Sequence, residues 1–152
     1  MYKKLAMSST DVRKDFGAVI DKIIRFSPVV IKRSRDYFVG ISIDDLQLLL
    51  KDTTFTIEEQ VEEDGSITLS LLDFSNVTNG KTREEALSLL IAELRAYTEE
   101  CYNRAEYWNG DGHIRVQLDQ LMKVMITDDN SELEKSFKWR KKNDRILCNI
   151  KK

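Results

Sequence analysis

The sequence predicts an α+β chain built as two small units in succession. Three observations lead there. Paired runs of apolar residues flank polar turns, the mark of β-hairpins. Elsewhere apolar residues recur at spacings of three and four, the mark of half-buried helices. Charge also changes sign along the chain. Residues 1–52 hold 10 basic and 7 acidic side chains, residues 53–135 hold 7 and 18, and residues 136–152 hold 7 and 1. We place the boundary so that one unit spans 1–52 and the second 53–152.

In chain order, residues 2–7 (YKKLAM) read as a short strand. Residues 8–26 follow as a helix, with Ser8, Ser9 and Thr10 able to cap it. Phe16, Val19, Ile20, Ile23 and Ile24 form its stripe, and a break is expected near Asp15–Gly17. Pro28 ends it. Two apolar runs around Arg33–Asp36 predict a hairpin, and Ser42 with Asp45 predicts a capped short helix. In the second unit, 55–61 and 67–74 form a hairpin about an Asp-Gly turn, with a short third strand over 75–80. Residues 81–105 carry the strongest helical pattern, opened by a Thr82–Glu85 capping box. Asn109–Gly112 breaks it. Residues 113–126 give another helix, and 130–142 a last one capped by Ser131. Residues 143–152 read as a strand or a tail.

No apolar run approaches the length of a membrane span, and no secretory leader is evident. Cys101 and Cys148 lack metal-ligand spacing. Two free thiols in a reducing cytoplasm are the expected reading.

Support for catalysis is thin. His113 is the one histidine, which leaves histidine triads and multi-histidine metal sites without material. Neither phosphate-loop pattern occurs. Asp64, Asp73 and Glu85 could be drawn together as a carboxylate metal site of a nuclease, but acids are common in turns and caps. No cofactor or metal is expected.

Nucleic-acid binding has more behind it. A helix start offers unpaired N–H groups and a positive dipole end to a phosphate. Ser8, Ser9 and Thr10 could donate to the same group, and Arg13 and Lys14 follow within a turn. The hairpin turn adds Lys32, Arg33 and Arg35. The alternative at this stage is equally open: the hydroxyls cap the helix and the cations solvate it.

The residues that bear on this choice form a linked pattern. A strand leads into Ser8-x-x-Asp11-x-Arg13-x-x-Phe16. Then come an apolar helix, the Pro28–Ile31 strand, a basic turn, the Phe38–Ser42 strand and an Asp44-x-x-x-Leu48-Leu49 helix. Over about the first third of the chain this resembles the N-terminal domain of Phd/YefM antitoxins. The resemblance implies a dimer with a shared sheet that binds its own operator. It also implies that Ser8, Ser9, Thr10, Arg13 and Lys14 face DNA, with Arg33 and Arg35 on its backbone. Ser34 stands where that family commonly has glycine.

Residues 55–107 more loosely resemble the HicB antitoxin fold: a hairpin, a third strand, and Thr82-Arg-Glu-Glu-Ala-Leu opening a long helix. The proline-glycine usual after the acidic strand end is missing. The order is also reversed, since HicB proteins carry their DNA-binding module after this domain.

Together the resemblances imply a non-enzymatic antitoxin of a type II toxin–antitoxin system. It would be a homodimer or higher homo-oligomer that represses its own promoter, while its acidic remainder masks a toxin, expected to be a ribonuclease. Leu118, Met122, Met125, Leu133 and Phe137 are the candidate toxin-facing residues, with intramolecular core the alternative for most of them. A stand-alone repressor and a carboxylate nuclease remain the competing readings.

Overall fold

The computed structural model describes residues 1–104 and 116–141. The chain is α+β and divides into two compact units, Met1–Lys51 and Asp52–Lys152.

The first unit begins with a short helix α1 (Tyr2–Leu5), where a strand was expected. Only Met7–Ser8 form strand β1. α2 (Ser9–Lys14) and α3 (Phe16–Arg25) follow, split at Asp15 as the sequence suggests. Asp15 leaves helical geometry at φ −142°, and its carboxylate accepts from the Ala18 N–H, so one residue ends α2 and caps α3. β2 (Val29–Arg33) and β3 (Asp36–Gly40) make the expected hairpin, with α4 (Ile43–Leu49) capped by Ser42. The sheet order is β1-β2-β3, parallel then antiparallel. Its core is small: Val12, Val19, Val29 and Ile31, with Met7 and Ile23 packed against them.

Arg33 pairs with Asp36, leaving Ser34 and Arg35 as a two-residue turn. Ser34 has φ +55° and Arg35 is not left-handed, the pattern of a II′ turn, which favours glycine at its first central position. A side chain in the left-handed region costs about 1–2 kcal/mol. Ser34→Gly is therefore expected to stabilise the first unit by about 1 kcal/mol in denaturant titration, after the entropy glycine loses on folding. An unchanged or lower midpoint would contradict this reading of the turn.

In the second unit β4 (Phe55–Val61), β5 (Ile67–Leu71) and β6 (Asn76–Gly80) form an antiparallel meander. The first turn puts Gly65 at φ +83°. α5 (Arg83–Asn103) packs across one sheet face. Its start is a reciprocal cap: Glu85 N–H donates to Thr82 Oγ1 at 3.1 Å, and Lys81 N–H donates to the Glu85 carboxylate at 2.7 Å. α6 (Leu118–Met125) lies against α5, and α7 (Asn130–Glu134) follows. Asp129, not Ser131, caps α7, because its carboxylate accepts from both the N–H and hydroxyl of Ser131.

Residues 137–141 are not helix. They form strand β7 (Phe137–Lys141), parallel to β4, and complete the order β6-β5-β4-β7. Phe55, Ile57, Leu69, Leu90, Leu94 and Leu133 are all fully buried in the core. Each contributes about 1.5–3 kcal/mol by leaving water. Gln117 reaches from the start of α6 to the backbone carbonyl of Asp73. Val61, which strand alternation puts on the face of Phe55 and Ile57, is largely exposed at the end of β4. His113, Ile114 and Cys148 lie outside the described residues, as does the stretch 143–152.

Candidate nucleic-acid interface

Strand register decides whether the two basic stretches of the first unit meet. β1 pairs with β2 so that Ser8 lies opposite Lys32, and the hairpin tip follows one residue later. The start of α2 and the basic turn therefore share one end of the sheet. α1 joins them: the Tyr2 ring packs edge-on against Tyr37 at 5.2 Å, and Lys32 sits over the other partner of that pair, 5.7 Å from the Tyr37 ring centre. This brings Lys3 and Lys4 to the same end, two cations that the strand reading of 2–7 did not single out.

The side chains there are not equivalent. Ser8 caps α2, accepting from the Asp11 N–H at 3.1 Å and donating to the Asp11 carboxylate at 2.7 Å. Its hydroxyl is thus engaged within the helix. That donation, reinforced by Lys14 at 3.3 Å, holds the Asp11 carboxyl below its usual range. The helix start accordingly carries its own anion, and Lys14 is partly neutralised. Lys32 is shared with the Tyr37 ring. Arg13 spends only its Nε, on the Ser9 carbonyl at 3.3 Å, leaving the outer edge of the guanidinium open. Arg33 and Arg35 are exposed and have no partner among the described residues. Thr10 is exposed and Ser9 half-buried. The open forks, which suit phosphate and guanine edges, are therefore Arg13, Arg33 and Arg35.

The first unit also leaves much apolar surface uncovered. Phe16, Ile24, Phe26, Phe38, Leu48 and Leu49 are between 54% and 81% exposed. β3 is an edge of its sheet, so Phe38 and Val39 lie beside an unpaired strand edge.

The candidate toxin-facing residues of the second unit divide in two. Leu133 and Phe137 are core: Leu133 is fully buried and Phe137 packs edge-on against Phe55 at 5.6 Å. Leu133 offers no surface and Phe137 almost none, so neither is a toxin-facing residue, contrary to the expectation. Their apolar spacing signalled burial rather than contact. Leu118 and Met125 are 44% and 40% exposed, and Met122 is half-buried.

The three acids considered for a metal each do local work. Asp64 accepts from the Ser66 N–H and hydroxyl, which lowers its pKa, and Glu85 caps α5. Asp73 accepts from Gln120 at 3.1 Å. Among the described residues no group of three or more metal-ligating side chains is placed to hold an ion. Nor is any helix there long and apolar enough to cross a membrane.

Residues 1–138 match the PHD_like family model, described as the antitoxin of a RelE / RelB toxin–antitoxin system. The fold is similar to the crystal structure of an antitoxin part of a proposed toxin/antitoxin system from Syntrophomonas wolfei subsp. wolfei. The TM-score is 0.82 at 23% identity, covering 90% of this chain and 98% of that one. No curated protein matches.

Proposed function

We propose how the molecule works from one premise: the chain belongs to the PHD_like family, antitoxins of RelE/RelB-type toxin–antitoxin systems. It is an antitoxin, and an antitoxin has a toxin partner. The first unit binds operator DNA as a homodimer and represses its own promoter. The second unit masks the toxin.

The observation that supports the DNA reading is the Ser8–Lys32 register, which sets the start of α2, where Arg13 bonds back to Ser9, beside the turn that carries Arg33 and Arg35. These arginines make the grip, on phosphates and base edges. Ser9, Thr10, Lys14 and Lys32 add weaker contacts, and Ser8 orients the helix rather than donating to DNA.

Pairing is supported by the exposed apolar set. A unit of about fifty residues buries little surface alone. A second copy covering Phe38, Leu48 and Leu49 gains about 1.5–3 kcal/mol for each side chain fully buried. Twofold pairing also presents two basic ends to the two half-sites of a palindrome. Phe38→Asp or Leu49→Asp is expected to convert the dimer to monomer in sedimentation velocity at micromolar concentration. A monomeric parent chain would remove the basis for pairing.

The toxin reading rests on charge and surface. The acid-rich stretch 53–135 steers a basic partner, as a ribonuclease that must approach RNA phosphates would be. Leu118, Met122 and Met125 supply apolar contact beside it. Co-expression with the adjoining gene tests this directly: a growth-arresting product, relieved by and co-purifying with this chain, is expected. A harmless product that does not co-purify would favour a stand-alone repressor.

A further inference from the structure

α5 and α6 do not close completely along their shared side. They leave a groove lined by Arg95, Thr98, Glu99, Tyr102, Val124 and Met125. Val124 is buried and forms the floor, while Met125 is 40% and Tyr102 64% exposed. Thr98 donates its hydroxyl to the Leu94 carbonyl, so it offers no free donor. Arg95 donates from Nε to Asn130 Oδ1 and from Nη2 to the carbonyls of Thr127 and Asp128, all within 3.0 Å, which draws that edge of the guanidinium toward the start of α7.

Glu99 differs from these. It is exposed, and among the described residues it has neither a hydrogen bond nor an ion pair. It lies three residues before Tyr102, one helical turn away on the same face. The groove thus combines an apolar floor, an aromatic wall and an unpaired carboxylate. That combination suits a long cationic side chain, whose stem is apolar and whose head is charged. The excess of acids over 53–135 favours a basic partner as its source.

We propose that this groove seats one arginine or lysine side chain of the toxin. Its stem lies over Val124 and Met125, and its cation is held between the Glu99 carboxylate and the face of Tyr102. This rests on the toxin-binding reading above and adds the anchor and its place.

The test is calorimetric titration of the full chain with the product of the adjoining toxin gene. Glu99→Lys is expected to weaken binding on the order of a hundredfold, and Glu99→Gln and Tyr102→Ala on the order of tenfold each. The control is Glu84→Lys, on an exposed acid in the first turn of α5, which changes the net charge equally. It is expected to weaken binding less than threefold. All three side chains are exposed, so the melting temperatures should stay close to that of the parent. Equal losses from Glu99→Lys and Glu84→Lys would overturn the anchor, leaving only general charge steering. So would an unchanged affinity in Tyr102→Ala and Glu99→Gln, with toxin binding by the parent intact. A parent chain that binds no toxin would remove both the anchor and the reading beneath it.

Discussion

Replacing Arg13 and Arg33 together with alanine is expected to lower operator affinity about a thousandfold at moderate salt, with the fold intact. A lost contact from arginine to a base or phosphate costs on the order of 1 kcal/mol or more, and a twofold complex loses each contact twice. Two residues in two copies are four contacts, about 4 kcal/mol, which corresponds to that factor. The fold should survive because neither guanidinium holds another element in place. Among the described residues Arg13 Nε bonds only to the Ser9 carbonyl within its own helix, and the Arg33 side chain at the hairpin tip has no partner. Lys14→Ala should cost less than Arg13→Ala, because Asp11 already offsets its charge. A gel titration midpoint that does not move in the double variant would refute this interface.

The second large effect is structural. Gly80→Ala is expected to destabilise the second unit by about 3 kcal/mol or more, and toxin binding should fall with it. A methyl group at Gly80 would sit 2.5 Å from the backbone nitrogen of Ala86 and 3.0 Å from the Thr82 carbonyl oxygen. Those atoms belong to the first turn of α5, which the Thr82–Glu85–Lys81 bonds fix. To make room the helix must lift from β6 or lose its cap, and overpacking plus a lost cap sums to that figure. Gly40→Ala makes the contrast. Its methyl would meet Ile23 Cδ1 at 2.6 Å, the free end of a side chain that can turn away. That substitution should cost under about 1 kcal/mol. Chemical denaturation of both variants separates the cases, and equal losses would contradict the argument from backbone contact.

The parts legible in the sequence were those set by local chemistry. Asp15 breaking the helix, Ser42 and Thr82 capping, and the Asp-Gly turn all act through bonds within a few residues. The failures share a different cause. Residues 137–141 have a strongly basic, exposed composition that reads as a helix end, yet they add to the sheet. The ladder they join belongs to β4, some eighty residues earlier, and no local pattern encodes that pairing. The interaction that holds Trp139 is equally remote: the Arg83 guanidinium lies 3.9 Å from its ring centre and also reaches Glu59 at 2.8 Å. In the candidate DNA interface, residue types were readable but not their commitments. Nothing in the string of basic residues distinguishes Lys14, tied to Asp11, from Arg33, whose side chain has no partner among the described residues.

Operator titration of the purified chain over a range of salt concentrations tests the central claim most directly. The account predicts two chains per palindromic site. It also predicts a logarithmic salt slope on the order of −5 or steeper, since each copy brings three open arginines and further lysines to the phosphates. A flat salt response, or one chain that shows no preference for its own promoter over random duplex, would contradict it.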